Sequence, residues 1–107
     1  MSWTKDEFKT YVLIYAMNAN YIESRDQVEE IREKVSDGTL YKKMHREFEK
    51  DNDYQALNKM EEAFNALEYS KDDLDSLFKE INELFMLDGH FESTELEVLL
   101  ALKHIFK

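Results

Sequence analysis

The sequence contains no cysteine, no proline and only two glycines among its 107 residues. Without cysteine there is no disulfide framework, no thiolate zinc site and no thiol nucleophile or redox switch. With proline absent, and with Gly38 and Gly89 each directly following an aspartate, helix ends must be set largely by polar caps. Long apolar runs are missing as well. Nothing approaches the roughly 20 residues that span a bilayer, so no membrane insertion is expected. The amino terminus, Met1-Ser2-Trp3-Thr4-Lys5-Asp6, lacks the basic start and apolar stretch of a secretion signal, and a cytoplasmic location is expected.

Positive charge is scarce: 14 Lys and Arg face 24 Asp and Glu, for a formal net charge of −10. Such a surface repels phosphate backbones and anionic lipid, and nucleic acid is not an expected partner. The same charge attracts cations or a basic protein. What is present suffices for a core. Hydrophobic residues make up 43% of the chain and aromatics 13%, enough apolar material to offset backbone ordering in a single domain spanning residues 1–107.

The apolar spacing is helical throughout, and no segment alternates as a strand would. Thr4 with Glu7 matches a capping box and opens a helix to about Asn18, with Phe8, Tyr11, Val12 and Tyr15 on its core face. Ser24 with Gln27 opens a second, carrying Val28, Ile31 and Val35 and stopping near Gly38. Thr39 caps a third with Leu40, Met44 and Phe48, and the polar run Lys50-Asp51-Asn52-Asp53 ends it. A fourth carries Leu57, Met60, Phe64 and Leu67. Ser70 with Asp73 caps the fifth, whose wide stripe of Leu74, Leu77, Phe78, Ile81, Leu84 and Phe85 marks it as the expected central helix. The last begins at Ser93 or Thr94, and Leu96, Leu99, Leu100, Leu102, Ile105 and Phe106 are expected to be buried, so that it packs between other helices. The expected fold is therefore all-α, a compact single-domain bundle of about six helices.

A weak internal echo runs through the two hairpin connections. Asn20-Tyr21-Ile22-Glu23-Ser24-Arg25-Asp26 resembles Gly89-His90-Phe91-Glu92-Ser93-Thr94-Glu95, and pairing Ser24 with Ser93 and Ile22 with Phe91 gives a constant offset of 69 positions. That register also pairs Val12 with Ile81 and Tyr15 with Leu84, implying two related helical hairpins. The acids of each turn sit at a helix amino terminus, where the dipole and unpaired backbone N–H groups stabilise negative charge.

A long apolar helix running into Phe85-Met86-Leu87-Asp88-Gly89-His90-Phe91-Glu92-Ser93-Thr94-Glu95 is similar to the Asp-Gly turn of the tellurite-resistance TerB-like domains. Tyr15-Ala16-Met17-Asn18-Ala19-Asn20-Tyr21-Ile22-Glu23 resembles the matching first turn. The resemblance covers nearly the whole chain and implies a compact helical fold with two related hairpins. It also implies acidic turns proposed to bind divalent cations, mapping onto Asp88, Glu92 and Glu95, with Glu23 and Asp26 as a second cluster. In the first turn Ala19-Asn20 replaces the Asp-Gly pair, which weakens that cluster.

Taken as residues, the acidic turn is not an EF-hand. With Gly89 at the sixth position of a calcium loop, the first and third positions would be Leu84 and Met86, which offer no side-chain oxygen. A looser site for a divalent cation such as calcium would use Asp88, Glu92 and Glu95, joined by Asn18, Asn20, Glu23 or Asp26 only if the two turns meet. His45, His90 and His104 have no zinc spacing. With no phosphate loop and no Ser/His/Asp pattern, an enzyme is not expected. The function expected is a non-catalytic acidic binding module for a protein partner. Its alternatives are a divalent-cation-binding regulator and an acidic mimic of nucleic acid. Trp3, ahead of the first cap, would serve either a partner surface or the end of the bundle.

Overall fold

A computed structural model describes residues 2–20, 24–35, 38–88 and 92–107, in six α-helices with no strand among them. The helices are α1 (Lys5–Met17), α2 (Arg25–Lys34), α3 (Gly38–Glu49), α4 (Asp53–Ala66), α5 (Lys71–Phe85) and α6 (Ser93–Ile105). Single 3-10 turns, Asn18–Asn20 and Met86–Asp88, extend α1 and α5. No helix among the described residues is long and apolar enough to cross a membrane.

Polar side chains cap α1, α2, α4 and α5, in keeping with the shortage of glycine and proline. Thr4 Oγ1 accepts from the Glu7 amide at 3.1 Å while Glu7 Oε1 accepts from the Thr4 amide at 2.8 Å. Ser70 and Asp73 exchange the same pair of bonds at the start of α5. Asn52 and Gln55 do so at the start of α4, inside the stretch that the sequence marks only as a helix end. At Ser24 the hydroxyl accepts from the Gln27 amide at 3.1 Å. Two boundaries differ from expectation. Chain extension begins already at Val35, and Gly38 is the first residue of α3 rather than the stop of α2, which places Thr39 within α3 rather than at its cap.

The central helix is α1, not α5. Phe8, Tyr11, Val12, Leu13, Ile14, Ala16 and Met17 are all buried, covering every side of α1, which packs against each of the other five helices. The buried Thr10 hydroxyl is satisfied by donating to the Asp6 carbonyl at 2.7 Å. The physical reason is that a pronounced stripe marks a helix with one wet face, whereas a helix at the middle of a bundle is apolar all round and shows little contrast. Leu77, Ile81, Leu84 and Phe85 of α5 are buried, but Asp75, Ser76, Lys79 and Glu83 of the same helix face solvent.

The last helix departs from expectation in the opposite sense. Leu99, Leu102 and Phe106 are buried, yet Leu96 and Leu100 stand exposed, so α6 lies on the outside of the bundle. An aromatic cluster ties its end to the first helix: Phe8 meets Phe106 edge-on at 5.4 Å and Phe64 meets Phe106 at 5.1 Å between ring centroids. Trp3 packs on the buried Tyr11 ring at 4.7 Å and so covers the amino-terminal side of the core.

Two hairpins of the same build are present, in a register of 68 rather than 69. The 3-10 turn Asn18–Asn20 corresponds to Met86–Asp88, and the N-cap Ser24 corresponds to Glu92, not to Ser93. In this register Leu13 matches Ile81, Met17 matches Phe85, Gln27 matches Glu95 and Ile31 matches Leu99, and all eight are buried. The two serines are not equivalent, because in the second hairpin a glutamate takes the cap position and Ser93 falls inside the first turn.

Candidate functional site

The acids singled out from the sequence do not gather into one described cluster. Glu92 caps α6, and Glu95 is buried with its Oε1 accepting from the Glu92 amide at 2.9 Å. That bond holds one oxygen of the Glu95 carboxylate at a helix terminus, where the macrodipole also favours it. Asp26 is exposed in the first turn of α2. Glu23 and the side chain of Asp88 lie outside the described residues, as do Gly89, His90, Phe91 and the side chain of Asn20. Among the described residues no group of three or more His, Asp or Glu side chains could hold a metal ion.

What the fold does assemble is a cleft of mixed apolar and acidic lining at the junction of α3 and α4. Its lining comes from four places: Tyr15 on α1, Asn18 and Ala19 in the following 3-10 turn, Phe48, Asp51, Asn52, Asp53 and Ala56 around the α3–α4 junction, and Val98 on α6. Its volume is about 240 Å³. The chain can turn so sharply between α3 and α4 because Asn52 caps α4 immediately after α3 ends, which carries Asp51 and Asp53 to the side facing α1.

Two tyrosines of α1, one turn apart, hold those carboxylates. The Tyr11 hydroxyl donates to Asp51 Oδ2 at 2.7 Å and the Tyr15 hydroxyl donates to Asp53 Oδ1 at 2.6 Å. The Phe48 ring stands edge-on to both, 5.8 Å from Tyr11 and 6.3 Å from Tyr15. Lys59 of α4 closes the inner side, with its ammonium 2.9 Å from Asp51 Oδ1 and 2.8 Å from Glu47 Oε1. Burial pulls the Lys59 ammonium toward its neutral form, but the hydrogen bonds to Glu47 and Asp51 outweigh it and raise the pKa. Burial, reinforced by the bond to the Asp51 carboxylate, pushes the Tyr11 hydroxyl far above its ordinary value, so it stays a donor.

No protein family, characterised protein or solved structure matches the chain. Its functional surfaces must therefore be judged on their own chemistry.

A second surface is apolar and belongs to the second hairpin. Met86 is 45% exposed, Leu87 40%, Leu96 49% and Leu100 57%, and they make up four of the five large apolar side chains exposed among the described residues. Leu96 and Leu100 are one turn apart on α6, and Lys103 continues the same flank. An open groove of about 550 Å³ runs beside it between α5 and α6, bordered by Phe78, Asn82, Met86 and Lys103. The Lys103 ammonium lies 5.8 Å from the centre of the Phe78 ring.

Neither surface is announced by a motif. The stretch Lys50–Asp53 has the composition of a helix terminator, and Tyr11 and Tyr15 have the spacing of core residues. The one available signal for the cleft was the pair of tyrosines at i and i+4, whose rings must be buried while their hydroxyls still require partners. The exposed leucines of α6 were hidden by the opposite error, since their spacing is the same as that of core positions.

Proposed function

We propose that the protein is a non-catalytic, acidic binding module that docks a basic protein partner on the outer flank of α6, a role in keeping with its resemblance to TerB-like domains. The observation that carries this reading is the concentration of exposed large apolar side chains in one hairpin. Single exposed leucines are ordinary, but a group of them on adjoining elements marks a surface that gains by being covered. Burying a leucine fully stabilises by about 1.5–3 kcal/mol, so Leu96 and Leu100 can anchor a modest complex. The charge of −10, with Glu92 exposed at the N-cap of α6 and Glu97 exposed within it, selects a partner whose apolar face is bordered by Lys and Arg.

The test is a fluorescence-anisotropy titration of a labelled helical Leu/Lys amphipathic peptide with the protein and with the double variant Leu96→Ser, Leu100→Ser. The reading expects saturable binding that weakens with added salt and weakens at least tenfold in the double variant, whose melting temperature should match the parent. Equal affinity of the two proteins for the peptide, or no binding to either at low salt, would sink it.

A further inference from the structure

We propose that the cleft at the α3–α4 junction receives the side chain of an arginine presented by a polypeptide partner. Its size is the first argument. Ligand pockets for whole small molecules and cofactors run from about 300 to 1,000 Å³; at about 240 Å³ the cleft suits a single side chain. Its lining is the second. Ala19, Phe48, Ala56 and Val98 provide an apolar sleeve for an aliphatic stem, and Asp51 and Asp53 supply two carboxylates, with no basic side chain among the described lining residues.

The carboxylates are also fixed in advance. Tyr11 and Tyr15 hold them through bonds of 2.7 and 2.6 Å, and the Phe48 ring is braced between the same two tyrosines. A cation entering the cleft thus meets placed acceptors and loses little to reorganisation. Lys59 neutralises part of the charge on the inner side through Asp51 and Glu47, which leaves Asp53, exposed at the rim, as the main counter-ion. A guanidinium fits better than an ammonium here. It is planar, lies flat against an aromatic ring, pairs with a carboxylate through a two-pronged bond, and is weakly hydrated, so less is lost on entering a half-apolar site.

The cleft faces away from the leucine surface. Val98 is two residues from both Leu96 and Leu100, about 200° of helix rotation away, so the two surfaces can be tested separately and the failure of one leaves the other intact.

The experiment is an amide-resolved NMR titration of the whole chain with acetyl-Gly-Arg-Gly-amide, with the same peptide carrying citrulline or lysine in place of arginine, and with agmatine. It is repeated on Asp53→Asn and Tyr15→Phe. The arginine peptide should move the signals of Ala19, Asp53, Ala56 and Val98, and the neutral citrulline peptide should bind at least tenfold more weakly. Asp53→Asn should weaken the arginine peptide by a similar factor, and Tyr15→Phe by less. Equal binding of citrulline and arginine peptides to the unsubstituted protein would overturn the proposal without relying on any variant. So would shifts confined to other residues, or none at millimolar peptide. Lysine binding as well as arginine would remove the guanidinium assignment, and agmatine binding more tightly than the peptide would replace the polypeptide with a free small cation.

Discussion

The phenolic oxygen of Tyr11 lies 2.7 Å from Asp51 Oδ2, across the joint between the central helix and the α3–α4 junction. The Asp51 side chain is only 6% exposed, so this bond and the ion pair to Lys59 between them satisfy a carboxylate that has little access to water. Tyr11→Phe should cost about 1.5–3 kcal/mol in urea unfolding, the range for a hydrogen bond to a charged group. Tyr15→Phe removes the same chemistry from the exposed Asp53 and should cost less than half as much. Equal losses would mean that burial of the carboxylate does not set the cost.

Lys59→Met should destabilise through the charge it leaves behind. Removing one partner of a buried pair costs about 3–5 kcal/mol, and the half-buried lysine places the expected loss at the lower end. Adding Asp51→Asn to Lys59→Met should recover part of the loss, giving a coupling energy above ~1 kcal/mol in a double-mutant cycle. Additive losses would show that the pair is not coupled.

Ultraviolet titration should separate the six tyrosines. Burial, with the nearby Asp73, Glu80 and Asp6 charges adding to it, moves Tyr69 up to about 12, and Tyr11 lies higher still. The folded protein should therefore show at least two tyrosines that titrate only as it unfolds in alkali, and Tyr11→Phe should lower that number by one.

Acid should unfold the protein by a defined route. The Lys43 ammonium, helped by the Thr4 amide, holds the Glu7 carboxyl below its ordinary value of 4.5. Lys5 does the same for Asp73 and Lys34 for Glu83. Since these groups bind protons more readily in the unfolded chain, their contribution is complete above pH 4.5 and is lost as the pH falls through their lowered folded values. Relief of repulsion among the acids acts the other way as the pH approaches the isoelectric point near 4.7. Stability measured against pH should peak near pH 5 and fall steeply below 4. Lys43→Met should raise the Glu7 pKa, read from its carboxyl carbon shift.

Two positions carry the wrong residue for their backbone. Glu68, just past α4, has φ of 52°, a left-handed conformation that costs a side-chain-bearing residue roughly 1–2 kcal/mol. Gly38, at the start of α3, is free of that constraint and has open space where a Cβ would stand. Glu68→Gly should stabilise by about 1 kcal/mol at the helix C-terminus, and Gly38→Ala by ~0.4–1 kcal/mol through the unfolded chain. Denaturation midpoints that fall in either variant would contradict the backbone assignment.

By itself the sequence determined the local structure: six helices, the capping boxes at Thr4 and Ser70, and the heptad-like spacing that buries Ile31, Met44, Met60 and Ile81. These depend on contacts three or four residues apart, which the order of residues states directly. Tertiary structure decided which helix is central and which leucines stay wet, because burial depends on neighbours distant in the chain. Periodicity shows that a helix has an apolar side, but the packing of α1 against all five partners is what buries its whole circumference, and the place of α6 at the edge is what leaves Leu96 and Leu100 outside. It also decided the cleft. Tyr15 and Asp53 are 38 positions apart, and only the fold of α4 back across α1 brings the hydroxyl of one to the carboxylate of the other.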